Sequence, residues 1–199
     1  LPASAAGRRA RDAQIAICPA SRSAQIYVLD ADEQPELLPR LRTHAVAAEG
    51  VDLVMHRTDH PDGEALIEAD RGELRFRAGG GVADLRGRTW GIEGDLGVLD
   101  LEISDGTVTS KTYPDALGRI WDALHCRPSG ELLLSAAPGY EFLDWGRAHH
   151  VGGGSHGSLH AVDSHAVLLF HGLREVPERR QWSLQDIVPM ILAHFRAAS

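Results

Sequence analysis

Residues 24–55 read AQIYVLDADEQPELLPRLRTHAVAAEGVDLVM, and three local patterns follow one another in them. Ala24–Leu29 carries Ile26, Tyr27, Val28 and Leu29 in an unbroken run, as a strand covered on both faces does. Glu36–Ala48 places Leu37, Leu38, Leu41, Ala45 and Ala48 at helical spacing. Pro35 stands where a first helical residue belongs, and Gly50 lies just past the end. Val51–Met55 reads as a second strand. Strand, helix, strand is the βαβ rhythm of layered α/β domains.

Working outward, Gln14–Cys18 predicts a further strand after a loose lead-in of fourteen residues. Ala65–Glu68 and Glu73–Phe76 flank Asp70-Arg71-Gly72, which predicts a surface β-hairpin outside the core. Residues 78–110 are glycine-rich and aperiodic, an irregular excursion with short strands. Pro114–Leu124 predicts a helix with Leu117, Ile120, Trp121 and Leu124 on one stripe. Strands are expected at Glu131–Ser135, Gly139–Leu143 and, buried, at Val167–Phe170. Ser183–Phe195 has the strongest helical period, opened by a capping box of Ser183 and Asp186 and kinked early by Pro189. That helix is expected to pack on the sheet.

At 199 residues with 43% apolar content, the chain is long enough to bury a core as one α/β domain, 1–199, without disulfide staples. Cys18 and Cys126 are too few for a disulfide framework and match no metal spacing. The net charge of −8 argues against a nucleic-acid scaffold. No apolar stretch reaches the ~18 residues of a membrane span. The chain starts at Leu1 without the apolar segment of a signal peptide, which favours the cytoplasm and points to residues removed upstream. Gly91, Gly94 and Gly97 lack the strand–helix context of a nucleotide fingerprint. Trp90, Trp121, Trp145 and Trp182 read as core or rim residues, and Arg174, Arg179 and Arg180 as a solvated loop.

Six of the eleven histidines, His149, His150, His156, His160, His165 and His171, fall within 23 positions, beside Gly152-Gly153-Gly154 and Asp163. Imidazole is the commonest metal ligand, and glycine lets backbone approach an ion closely. The order of residues sharpens this reading. Gly153-Gly154-Ser155-His156-Gly157-Ser158 precedes Asp163, then Ala166–Phe170 and Gly172, then Ser183-Leu184-Gln185-Asp186-Ile187-Val188-Pro189 and an amphipathic helix. Over residues 150–195 this resembles the C-terminal end of the alkaline phosphatase superfamily, in its type I phosphodiesterase/nucleotide pyrophosphatase branch. Those enzymes end with a Gly-X-His-Gly loop, a strand leading to glycine and an Asp-Ile-X-Pro helix.

The resemblance implies a layered α/β/α, alkaline-phosphatase-like fold, of which this chain is an incomplete C-terminal portion with a β-hairpin excursion. It also implies a metal-dependent phosphoric ester hydrolase in which two divalent metals, usually zinc, activate a threonine or serine and hold the phosphoryl oxygens. His156 would then ligate one metal, with Gly154, Ser155, Gly157 and Asp163 shaping and supporting the loop. The expected partners are a phosphoester substrate and the missing N-terminal part of the same fold. The nucleophile, the first aspartates and the Asp-His-Gly motif have no convincing copy here, so the chain is expected to be inactive alone. Asp52-X-X-X-His56 with Asp59-His60-Pro61 is a compressed alternative.

Two other classes stay open. Gly153-Gly154-Ser155-His156-Gly157 also fits Gly-X-Ser-X-Gly, the nucleophile elbow of a serine hydrolase, with Ser155 attacking. The histidine-rich loop could instead belong to a non-catalytic module that binds metal or a partner.

Overall fold

The structure is a computed structural model that describes residues 13–143, 154–172, 176, 178–179 and 181–197. The lead-in before residue 13, Trp145, His149, His150, Gly152, Gly153, Arg174 and Arg180 lie outside the described residues. The strands are β1 (Ile15–Ala20), β2 (Ser23–Val28), β3 (Val51–Arg57), β4 (Ala65–Ala69), β5 (Gly72–Ala83), β6 (Thr89–Gly94), β7 (Leu101–Ser104), β8 (Thr107–Ser110) and β9 (Leu132–Ala136). The helices are α1 (Gln34–Val46), α2 (Ala116–Leu124), the single turn α3 (Ala161–Ser164) and α4 (Ile187–Ala197). The chain is thus mixed α/β, with one open, mixed sheet in the order β1-β2-β9-β3-β4-β5-β8-β7 and β6 paired to β5.

The βαβ expectation holds with an insertion. β9 is antiparallel to both β2 and β3, so those two strands run parallel to each other but are parted by β9. The intervening α1 begins with Pro35 in its first turn, where the missing N–H leaves no bond unmade. β3 buries Leu53, Val54, Met55 and His56 in succession. Because successive side chains point to opposite faces, Leu53 and Met55 join the core under Leu117, Ile120 and Leu124 of α2. Val54 joins Ile26, Leu132 and Leu134 under Ala45 of α1. One helix therefore covers each face at the middle of the sheet.

Several expectations are corrected. The Ala65–Phe76 hairpin is no excursion. It turns on Asp70-Arg71 and pairs β4 with β3, so it sits inside the sheet with Ala65, Ile67, Leu74 and Phe76 at most 1% exposed. β2 buries only Ala24, Ile26 and Val28, every second residue, while Leu29 is exposed; its apolar run is covered on one face. Gly139–Leu143 is turn and irregular backbone. Residues 166–170 form no strand, and Val167 and Leu169 are exposed. An apolar run becomes a strand only where a neighbour supplies the ladder, and no described strand pairs with it.

The C-terminal helix also departs from expectation. The capping box is present, with Ser183 N–H donating to Asp186 Oδ2 at 2.8 Å. A 3₁₀ turn, Leu184–Asp186, precedes α4. Pro189 cannot donate to Gln185, and the lost bond falls at this junction. Yet α4 does not pack on the sheet. Leu184, Val188, Ile191, Leu192 and Phe195 face outward.

Candidate functional site

Residues 154–165 form a loop and one helical turn, clamped by two arginines from distant elements. Arg22, in the β1–β2 turn, is only 7% exposed. Its Nη1 donates to Asp163 Oδ1 at 2.5 Å, its Nε to the Tyr140 carbonyl at 3.2 Å and its Nη2 to the Ala137 carbonyl at 3.0 Å. The Arg22 backbone N–H donates to the His156 carbonyl at 3.1 Å. Asp163 Oδ2 accepts from both the N–H and the hydroxyl of buried Ser158. Each oxygen of a nearly buried carboxylate is thereby satisfied, as burial of a charge requires.

Arg119 of α2 holds the other side. Its Nη1 donates to the Pro114 and Leu159 carbonyls and to Ser164 Oγ, and its Nη2 to the Ser158 carbonyl. Burial pushes this guanidinium below its usual value, while its acceptors are mostly neutral oxygens. Leu159 N–H donates to Ser135 Oγ on β9 at 3.1 Å, and Ala161 N–H to the Thr112 carbonyl at 2.7 Å. The loop is therefore fixed to β9, α2 and the first hairpin at once. Gly157 makes this possible. Its φ of +112°, with a Cβ position 3.1 Å from the Ala20 carbonyl, suits glycine alone.

The His156 side chain lies on the outer side of this clamped loop, exposed to solvent. Gly154 is exposed beside it, and Ser155 is half-buried with an Oγ that has no hydrogen-bond partner. Asp163 serves the loop through Arg22 and Ser158. Residues 154–157 are irregular, and the first helical turn starts at Ala161, so no helix follows Ser155 directly. His160 Nδ1 accepts the Val162 N–H at 3.3 Å as an N-cap, with its ring edge-on to Tyr113. His165 and His171 are exposed. Among the described residues no three His, Cys, Asp or Glu side chains gather as a metal-binding group. His156 offers one donor, and the described residues do not complete a zinc site around it.

The compressed alternative comes apart in space. Asp52 and His56 are four strand residues apart, about 13 Å at 3.3 Å per residue. Asp52 accepts from Arg71 Nη1 at 3.0 Å and from Tyr113 Oη at 2.7 Å. His56 Nδ1 lies 2.8 Å from the Arg57 carbonyl, and its Nε2 lies 3.3 Å from Glu68 Oε2, a carboxylate that also takes two bonds from Arg42. His60 Nδ1 accepts the Asp62 N–H.

No protein-family model, curated protein or solved structure matches the chain. A cleft of about 760 Å³ opens behind the loop, lined among others by Asp84, Tyr113, Asp115, Arg119, His165 and Trp182. Asp115 has a left-handed backbone (φ 54°) and one carboxylate oxygen without a partner. Burial, and then the nearby Asp84 charge, push its carboxyl above the usual carboxylate range. The residues that the sequence did not reveal as part of the loop's setting are Arg22 and Arg119. Their only local signal is an arginine in a two-strand turn and another on a helix flank, which is commonplace.

Proposed function

We propose that this chain is the C-terminal portion of a metal-dependent phosphoric ester hydrolase, layered α/β/α in the manner of the alkaline phosphatase superfamily. Its contribution is the loop Gly154-Ser155-His156-Gly157, with His156 as the ligand of a divalent metal such as zinc. The observation that carries this reading is the pairing of the motif with its setting. An exposed imidazole stands on a loop that buried Arg22, half-buried Arg119, Asp163 and Ser135 hold in place. A metal ligand needs that kind of support, because its direction has to be fixed before the ion binds. One helix on each face of the central strand agrees with the proposed layering.

Zinc, when bound, supplies Lewis acidity and lowers the pKa of a coordinated water. This chain's part is to aim one neutral nitrogen and to let backbone pass close at Gly157. The remaining donors and the nucleophile would come from residues outside the described set. The elbow reading of Ser155 has less support, since an elbow requires a helix immediately after the serine.

Zinc titration followed by histidine ring NMR tests the proposal. The His156 signals are expected to move first, His156→Ala to abolish the tightest site, and Ser155→Ala to leave it intact. Labelling of Ser155 by a fluorophosphonate, with ester hydrolysis indifferent to chelators, would overturn it in favour of the serine hydrolase.

A further inference from the structure

We infer that the cleft behind the loop binds a small organic cation, an ammonium group on an apolar body, with Asp115 as its counterion. The proposal goes beyond the phosphoester reading and does not rest on it, since it uses neither His156 nor a metal. The cleft measures about 760 Å³, within the ~300–1,000 Å³ of small-ligand sites. Leu101, Val108 and Leu117 line it from the sheet and α2, and Leu168, Trp182 and Ile187 line it from the C-terminal segment. Such walls suit an apolar body, and one polar group among them then decides the occupant.

Asp84, Asp115 and Asp163 all line the cleft, but they are not alike. Asp84 accepts the N–H groups of Arg86 and Arg88 and the indole N–H of Trp90. Asp163 accepts from Arg22 and Ser158. Asp115 is the N-cap residue of α2, yet its side chain takes no cap hydrogen bond, the bond that favours aspartate at this position. Its Oδ1 is buried without a partner. The arginines nearby are committed elsewhere. Arg86 bonds Asp186, Arg88 bonds Asp122, and Arg119 bonds Ser164 Oγ and three carbonyls. Asp115 thus lacks the donor that burial of a carboxylate demands. Burial and the Asp84 charge also push its carboxyl above the usual range. An ammonium group supplies both the missing hydrogen bond and the opposite charge, where a neutral hydroxyl supplies only the first.

Amide NMR titration of the full chain with phenethylamine, a cation at neutral pH, tests the site. Binding with a dissociation constant of about 1 mM or tighter is expected, moving the Asp115, Ala116 and Leu117 amides and the Trp182 indole. Phenethyl alcohol keeps the shape without the charge, and hydrocinnamate reverses the charge; each should bind at least about 10-fold more weakly. Asp115→Asn should also weaken phenethylamine by about 10-fold or more, because a charge-assisted bond is lost. Asparagine tolerates a left-handed backbone, so the φ of 54° is kept and the amide spectrum should remain that of the folded chain. Asp105→Asn makes the same change at an exposed position with φ 49°, away from the lining residues, and should leave binding as it is. Several results would overturn the proposal. They are no binding at about 10 mM, phenethyl alcohol binding as tightly as the amine, unchanged affinity in Asp115→Asn, or an equal loss in Asp105→Asn.

Discussion

Asp163 carries the largest electrostatic stake of any single residue in the loop. Its side chain is 3% exposed and its partner Arg22 9% exposed. Removing one member of such a buried pair costs more than the pair is worth, because the other charge is left uncompensated. Asp163→Asn should therefore destabilise the protein by about 3 kcal/mol, read as a lower urea midpoint, and should shift the His156 ring resonances. A substitution at a solvent-exposed ion pair such as Lys111–Glu102 should move the midpoint by less than ~0.5 kcal/mol. His56 gives a second residue-scale expectation. Burial holds its imidazole below the ordinary value of 6.5, against the opposing pull of Glu68. The unfolded chain then takes up a proton near pH 6.5 that the folded chain refuses. Stability is full above that value and falls as the pH drops through 6.5 towards the lower folded pKa. Glu68, held below its usual 4.5 by the Arg42 guanidinium, adds a second loss at more acid pH. Urea midpoints at neutral and mildly acid pH should differ in the wild type, and His56→Gln should flatten the upper window alone.

At the scale of elements, the β4–β5 hairpin is the piece whose position matters most. A hairpin on the surface would tolerate substitution, whereas this one packs Phe76 against both Trp90 and Trp121, with ring centroids at 5.5 and 6.2 Å. Phe76→Ala should cost about 3–5 kcal/mol, the range for a buried phenylalanine replaced without collapse of the site. Thermal or chemical unfolding reads it directly, and a change below ~1 kcal/mol would return the hairpin to the surface. The hairpin itself is legible in the sequence, since the strand signals Ala65–Glu68 and Glu73–Phe76 flank Asp70-Arg71-Gly72. Its burial is not, because a turn between two strands does not say which strands lie beside them. α4 teaches the reverse. Its period and capping box are legible in the sequence, and its apolar stripe predicts packing on the sheet. The structure instead ties the helix start to Arg86, whose Nη1 and Nη2 donate to Asp186 at 2.9 and 3.2 Å, and turns the stripe outward.

For the whole molecule, the apolar surface is unevenly spread. Nine of the fourteen large hydrophobic side chains exposed among the described residues lie between Val162 and Phe195, while the sheet between α1 and α2 is well covered. The chain by itself is expected to show no turnover of a nitrophenyl phosphodiester with added zinc or manganese. Two-metal phosphoryl transfer needs a nucleophile and several carboxylates, and the described residues gather no such set. Steady turnover abolished by Asp52→Asn or His60→Ala would place chemistry on β3 and the loop after it.

The sequence by itself determined the helices α1 and α2, the strand β3, a hairpin turn within Asp70-Arg71-Gly72 and the Ser183 capping box. Each depends on periodicity, caps or turn residues within one or two turns of chain, so the information is local. It also singled out the Gly154–Gly157 loop as a candidate, and the structure shows Asp163 bonded to Arg22 and Ser158 beside it. Only the tertiary structure decided that β9 lies between β2 and β3, and that the hairpin is central. It alone found Arg22 for Asp163 across 141 residues. Strand neighbours and buried ion pairs are selected by how the whole chain packs, and a residue's own neighbours in sequence carry no record of that choice.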